Sequence, residues 1–164
     1  MSRKKDTPAL AARQFALDHL SSAHGQRKAI FTDGSVVNGA SSAAFYMPHS
    51  DTVQAFKLPH ETSSTEGELT ATYEALNAMS GSQADSWSIF TDSKSALEIL
   101  ASYRCSAICD LRTLVIARYN ELLASGRSVR LQWVPSHVGL PGNTRADLAA
   151  KRAHTTAALC LSIR

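Results

Sequence analysis

The sequence predicts an α/β fold: a five-stranded mixed sheet, made of a three-strand antiparallel meander and two further strands, flanked by helices. Three observations predict it. Between residues 28 and 59, short apolar and β-branched runs alternate with turn signals, the pattern of a meander. From residue 63 onward the apolar spacing lengthens to three and four, the helical period, broken by two more strand-like runs. The tetrapeptide Ile-Phe-Thr-Asp also occurs twice, at residues 30–33 and 89–92, each time as an apolar run ending on a carboxylate.

The elements follow in order. "TPALAARQFALDHL" reads as a helix in which Thr7 caps, Pro8 suits the first turn and Leu10, Phe15, Leu17 and Leu20 form the apolar side. "SSAHGQ" breaks it. "RKAIFTD" is a strand stopped by the turn signal Asp33-Gly34. "SAAFYMP" and "TVQAFKLP" are the next two strands, joined near "HSD". "SSTEGELTATYEALNAM" is a helix with Leu69, Tyr73, Leu76 and Met79 at helical spacing; Ser63 with Glu66, or Thr65 with Glu68, has capping-box spacing. "SWSIFTD" is a strand, "SKSALEILASY" a helix that starts directly after it, and "AICDLRTLVIARYNELLASG" a long helix with Gly126 as its stop. "RSVRLQWVP" is the last strand, and the loop "SHVGLPGN" leads into the final helix, "TRADLAAKRAHTTAALC". Trp87 and Trp133 read as core residues rather than base-stacking platforms.

At 164 residues the chain can bury one domain core, and it has no apolar run long enough to cross a bilayer. The basic start "MSRKKD" lacks the apolar stretch of a signal peptide, which points to a soluble intracellular protein, in the cytoplasm or nucleus. Cys105, Cys109 and Cys160 are odd in number and lack a disulfide framework or a second ligand pair, so they read as apolar thiols. The charge is asymmetric. Residues 6–93 carry a net −6, residues 94–152 a net +5, within an overall +3. Such a balance suits a polyanion against one half and cations among the acids of the other, although on charge alone ordinary solvated surface is the better reading.

Four acids stand out. In open α/β sheets, sites form beyond the carboxyl ends of strands. If the two tetrapeptide strands are parallel neighbours, Asp33 and Asp92 emerge together, and their mutual repulsion calls for a hard cation. Glu68 and Asp147 each lie in the first turns of a helix entering that end of the sheet. Taken singly, each is explained by the helix macrodipole, and Asp33 by an Asp-Gly turn. Their joint placement favours a metal site.

The stretches "FTDGS", "TEGELTATYEAL", "IFTDSKSAL" and "WVPSHVGLPGNTRADLAAKRA" resemble the type 1 ribonuclease H domain, over residues from about 28 to 159. The resemblance implies the ribonuclease H-like fold and an endonuclease that hydrolyses the RNA strand of RNA/DNA hybrids, leaving 5′-phosphate and 3′-hydroxyl ends. It implies that Asp33, Glu68, Asp92 and Asp147 hold two Mg2+ ions, with Mn2+ the alternative, about 4 Å apart. Asp33 would bridge both ions, Asp147 would support the one on the nucleophile's side, and Glu68 and Asp92 the other. His137, in a glycine-containing loop, would serve proton transfer or product release. Ser35, Asn38, Ser63, Ser64, Thr65 and Lys94 flank the acids and would contact sugars and phosphates, with Lys94 reaching the minor groove. Arg112, Arg118, Arg127, Arg130, Arg145, Lys151 and Arg152 offer phosphate contacts or plain surface charge.

The motif texture is most similar to ribonuclease H domains of animal non-LTR retrotransposons, which implies a reverse transcriptase domain as a partner in a parent polyprotein. Met1 fits an independent gene or an excised domain. Residues 1–27 form a basic tail and helix outside the match, a remnant of a polymerase connection or a dimerisation element, and residues 28–164 the domain itself. Thr144 stands where the family usually has Glu, and the span from Asp92 to Asp147 leaves no room for the basic helix-and-loop handle of some members. Glu66 is a fifth acid that competes with Glu68 in a shifted register. Two other readings keep the fold: a non-catalytic nucleic-acid-binding scaffold, and a DNA transposase or resolvase.

Overall fold

The doubled tetrapeptide lies side by side in space. In the computed structural model, which describes residues 6–102 and 109–156, β1 (Lys28–Val37) and β4 (Ser86–Thr91) are parallel neighbours. Ile30 pairs with Ile89, Phe31 with Phe90 and Thr32 with Thr91. Identical residues therefore point to identical faces at the same height, because side chains alternate across a strand. Ile30 and Ile89 enter one core; Phe31 and Phe90 enter the other, their rings 5.0 Å apart.

β2 (Ala40–Met47) and β3 (Thr52–Glu61) continue the sheet antiparallel to β1, and β5 (Ser128–Trp133) closes the other edge parallel to β4, giving the order β3-β2-β1-β4-β5. Two parallel pairings need helical crossovers. They are supplied by α2 (Ser64–Ser80) and by α3 (Lys94–Ala101) with α4 (Cys109–Ala124). Pro59, which cannot donate to a ladder, sits in edge strand β3, where none is needed.

The first core packs α2 and α4 on the sheet through Leu76, Met79, Val115 and Leu122 against Ile30, Phe45, Trp87, Ile89 and Val129. Each such side chain, fully buried, stabilises the fold by about 1.5–3 kcal/mol. The second core lies on the opposite face, where α1 (Asp6–His24) and α5 (Pro141–Thr156) cover Phe31, Phe90, Val134 and Leu140. α5 presents a stripe of Ala146, Ala149, Ala150 and Ala153, small enough for Ser42 Oγ to donate to the Ala150 carbonyl at 2.5 Å.

The fold class, strand count and meander are as expected, with local corrections. β1 does not stop at Asp33-Gly34; it runs to Val37, and the chain reverses at Asn38-Gly39, both at positive φ (51° and 80°). Asn-Gly is the stronger hairpin signal because both residues tolerate the left-handed region. The buried side of α1 is Ala16 with Leu17 and Leu20, whereas Leu10 and Phe15 are 61% and 76% exposed. α5 starts at Pro141, three residues earlier than its polar run suggests, as proline's fixed φ suits a first turn. Cys105 and Cys160, and the side chain of Cys109, lie outside the described residues, as do residues 103, 107, 108 and 157–160 of the expected helices. Among the described residues no helix is long and apolar enough to cross a membrane.

Candidate metal centre

Asp33 is the residue of β1 just past the Thr32–Thr91 pair, and Asp92 follows the last residue of β4. The parallel register carries both carboxylates to the same end of the sheet. Glu68 arrives from α2, whose N-terminus is fixed by a complete capping box. Ser63 Oγ accepts from the Glu66 backbone N–H at 3.2 Å, and the Ser63 backbone N–H donates to Glu66 Oε2 at 2.7 Å. This decides between the two capping registers and explains the fifth acid. Glu66 is held in the cap, and two residues later Glu68 turns inward, 6% exposed. Gly34 and Gly67 let strand and helix meet closely there: a methyl on Gly34 would stand 2.6 Å from the Glu68 backbone nitrogen.

One carboxylate oxygen each from Asp33, Glu68 and Asp92 lies within 4.8 Å of the others. Asp33 and Glu68 are buried, and Thr91 Oγ1 donates to Glu68 Oε2 at 3.5 Å. Asp147, one turn and a half into α5, stands within hydrogen-bonding reach of Asp33 and adds to the negative potential on it. Burial is the main cause that pushes the Asp33 carboxyl up to about 7, with the charges of Asp92 and Asp147 raising it further. Burial, followed by the adjacent Asp33, likewise raises Glu68 well above the usual carboxylate range.

Two buried carboxyls, Asp33 and Glu68, that resist ionisation gain most from a cation. The donor set is all carboxylate, with neither sulfur nor imidazole, which suits a hard divalent ion such as magnesium. An octahedral magnesium ion holds its ligand oxygens about 3 to 4 Å apart, so the group closes on an ion through small side-chain rotations. The residues present therefore fit the group. Asp147 has a competing partner, Lys151 Nζ at 2.7 Å, with the two side chains 26% and 55% exposed. A pair this open is worth only about 0.2–1 kcal/mol. Lys151→Gln should accordingly tighten magnesium binding about twofold in a low-salt calorimetric titration, and unchanged or weaker binding would contradict the competition.

The other sequence-predicted residues divide. His137 is exposed in the loop between β5 and α5 at φ 56°, a left-handed position that histidine takes more readily than most side chains, and stands outside the carboxylate group. Ser35 Oγ contacts His154 Nε2 at 3.1 Å beside the site end of β1, while Asn38 forms the β1–β2 turn beyond it. The Ser63 hydroxyl is engaged in the cap, and Ser64 opens α2 exposed. Thr65 Oγ1 meets Ser95 Oγ at 3.1 Å, which brings the N-termini of α2 and α3 together beside the acids. Lys94, the first residue of α3, projects its ammonium 4.6 Å above the Trp133 ring.

Two residues were missed. Asn143 is 6% exposed and donates through Nδ2 to Asp92 Oδ2 at 3.1 Å, orienting that carboxylate; its only sequence signal is the Gly-Asn dipeptide of the last motif. Trp133 is not a core residue. It is 37% exposed, and its indole N–H donates to the Asp92 carbonyl at 3.2 Å.

The family model described as RNase H matches residues 25–155. Among solved structures, the chain is similar to that of RNase H1 from the halophilic archaeon Halobacterium salinarum NRC-1. The TM-score is 0.63 at 21% identity, covering 78% of this chain and 97% of that one. At this identity the structural likeness speaks for the fold.

Proposed function

The chain belongs to the RNase H family, a family of divalent-metal-dependent ribonuclease H enzymes, and from that premise we propose that it hydrolyses the RNA strand of RNA/DNA hybrids with two magnesium ions, leaving 5′-phosphate and 3′-hydroxyl ends. The observation that carries this reading is the convergence of Asp33, Glu68 and Asp92 from three separate elements into one group, with Asp147 facing Asp33 from a fourth.

Bound ions would supply an activated water and a counter-charge for the departing 3′ oxygen. The chain's own part is to hold and shape. Asp33, buried and within hydrogen-bonding reach of both Glu68 and Asp147, would be the shared ligand, with Glu68, Asp92 and Asp147 completing the hold. Asn143 keeps Asp92 from turning away. His137, on its exposed loop, would exchange protons with the leaving group or solvent. Ser35, Ser63, Ser64, Thr65 and Lys94, close in sequence to the acids, and Asn38, on the turn beyond β1, would meet the sugar hydroxyls and phosphates of the hybrid. Manganese, with the same ligand preference, would substitute for magnesium.

The motif texture supports a narrower reading as well. The domain resembles those of animal non-LTR retrotransposons, with a reverse transcriptase domain as its partner, residues 28–164 as the nuclease unit and an intracellular setting.

Cleavage of a labelled RNA/DNA hybrid tests the proposal. Wild-type protein with Mg2+ should cut the RNA strand, while EDTA or Asp92→Asn should remove activity by about 10³-fold or more, since each lost metal ligand withdraws several kcal/mol of charge stabilisation. Duplex DNA and duplex RNA should remain intact. Cleavage of duplex DNA alone would favour a transposase-like enzyme, and no cleavage of any substrate a binding scaffold; either would overturn the reading.

A further inference from the structure

We propose that Trp133 is a positioning residue that ties the metal ligand Asp92 to the substrate-side cation Lys94, so that the backbone of a bound hybrid is held in fixed register with the metal centre. The inference rests on the ribonuclease H reading of the acid group.

The two tryptophans of the chain contrast sharply. Trp87 is 0% exposed, and its N–H is satisfied within its own neighbourhood by the Ala84 carbonyl at 2.9 Å. Trp133 ends β5, paired with Thr91, and its ring lies at the surface beside the acids. An indole left open at the end of a strand covers little core. It does offer two separate surfaces, an N–H edge and a π face.

Both are occupied. The N–H holds the Asp92 carbonyl at 3.2 Å, one residue beyond the last rung of β4. The face seats the Lys94 ammonium at 4.6 Å. Asp92 is thus held at both ends, its carbonyl by Trp133 and its carboxylate by Asn143. It cannot swing without breaking a contact.

The seat for Lys94 also prevents a conflict. An ammonium two residues from Asp92 would otherwise be drawn onto its carboxylate and compete with the metal ion. Among the described residues Lys94 forms no salt bridge. The ring supplies a site of negative potential without a formal charge, parking the cation clear of the metal ligands and ready for phosphate or minor-groove oxygens. The peptide from Asp92 to Lys94, with Ser93 capping α3 between them, is clamped at both ends by one side chain.

Full-length wild type, Trp133→Phe, Trp133→Ala and Lys94→Gln separate the two roles. Magnesium affinity is read by calorimetric titration without substrate, and KM by cleavage of an RNA/DNA hybrid. Trp133→Ala should weaken magnesium binding and raise KM, each by about three- to tenfold, the worth of one hydrogen bond or one cation–π contact. Trp133→Phe keeps a ring but no N–H donor, so it should restore KM towards wild type while leaving magnesium binding weak. Lys94→Gln should raise KM alone. In Trp133→Ala with Lys94→Gln, KM should match Lys94→Gln by itself. The proposal is overturned if Trp133→Phe matches Trp133→Ala in both readouts, if both readouts stay within twofold of wild type in Trp133→Ala, or if the KM effects of the two sites multiply. Failure of wild type to cut hybrid would instead defeat the ribonuclease H reading, and the calorimetric arm still tests the hold on Asp92.

Discussion

Asp33→Asn should abolish metal-dependent hydrolysis and, at pH 8 without metal, make the protein more stable than wild type. The first effect follows from removing the ligand at the centre of the group, a loss on the order of 10³-fold or more. The second follows from burial. The Asp33 side chain is only 5% exposed and its carboxyl is pushed up to about 7, chiefly by desolvation and then by Asp92 and Asp147. In the unfolded chain the same group titrates near 3.9. Between those values the folded protein binds a proton that the unfolded chain has released, so stability falls as pH rises from about 4 to about 7 and stays low above it.

The full penalty of that interval is on the order of 4 kcal/mol. An amide removes it but must place its NH2, which the neighbouring carboxylates accept. A net gain of about 1–3 kcal/mol is expected at pH 8, or about 2–4 °C in Tm per kcal/mol for a domain of this size. At pH 4 the two proteins should melt nearly alike, because Asp33 is then neutral in the fold and only about half ionised in the unfolded chain, where little of the penalty has developed. Thermal melts in EDTA at the two pH values check this, and added Mg2+ should raise the wild-type Tm at pH 8 far more than the variant's. Equal stability of the two proteins at pH 8 would mean that Asp33 is not the strained group its burial makes it.

The same contrast of local and long-range forces explains what could be read from the sequence. The doubled Ile-Phe-Thr-Asp run was legible because a strand's alternation fixes facing, and two identical runs placed in register must bring Asp33 and Asp92 together. The cap of α2 was legible as one of two registers; the Glu66 side chain turning back to Ser63 decided it. Trp133 was not legible, since an indole at a strand end looks the same whether it faces the core or a lysine from another element. Asn143 was hidden likewise: its partner Asp92 is 51 residues away. On α1 the apolar period was visible, but the choice of side was not. Small Ala16 is buried in the core that holds Phe31 and Leu140, and bulky Phe15 is left outside.

Gly34 is the instructive misreading, and its substitution should have the second large effect. Beside Asp33 it looked like half of a turn, yet it lies within β1 and pairs with Ala43. Its lack of a side chain answers to α2. An added Cβ would stand 2.6 Å from the Glu68 nitrogen and 2.8 Å from the Gly67 carbonyl carbon, and a Cβ on Gly67 would stand 2.8 Å from the Ser42 carbonyl oxygen. These are backbone atoms, which cannot rotate aside as a side-chain tip would. Gly34→Ala must therefore push the first turns of α2 away from β1, at a cost of about 3 kcal/mol or more, the upper range for overpacking. The same displacement carries Glu68 away from Asp33. Since a misplacement of about 1 Å can cost on the order of 10² in rate, hydrolysis should fall by roughly that factor even at temperatures where the variant is fully folded, and magnesium affinity should fall with it. Gly81→Ala is the matched control. That residue ends α2 at φ −83° with nothing within 4 Å of the added methyl, and its stability should stay within about 0.5 kcal/mol of wild type. Urea denaturation, calorimetric magnesium titration and hybrid cleavage on both variants decide the matter. If Gly34→Ala behaves like Gly81→Ala in all three, then the close approach of strand and helix is not what sets the distance between the two buried acids.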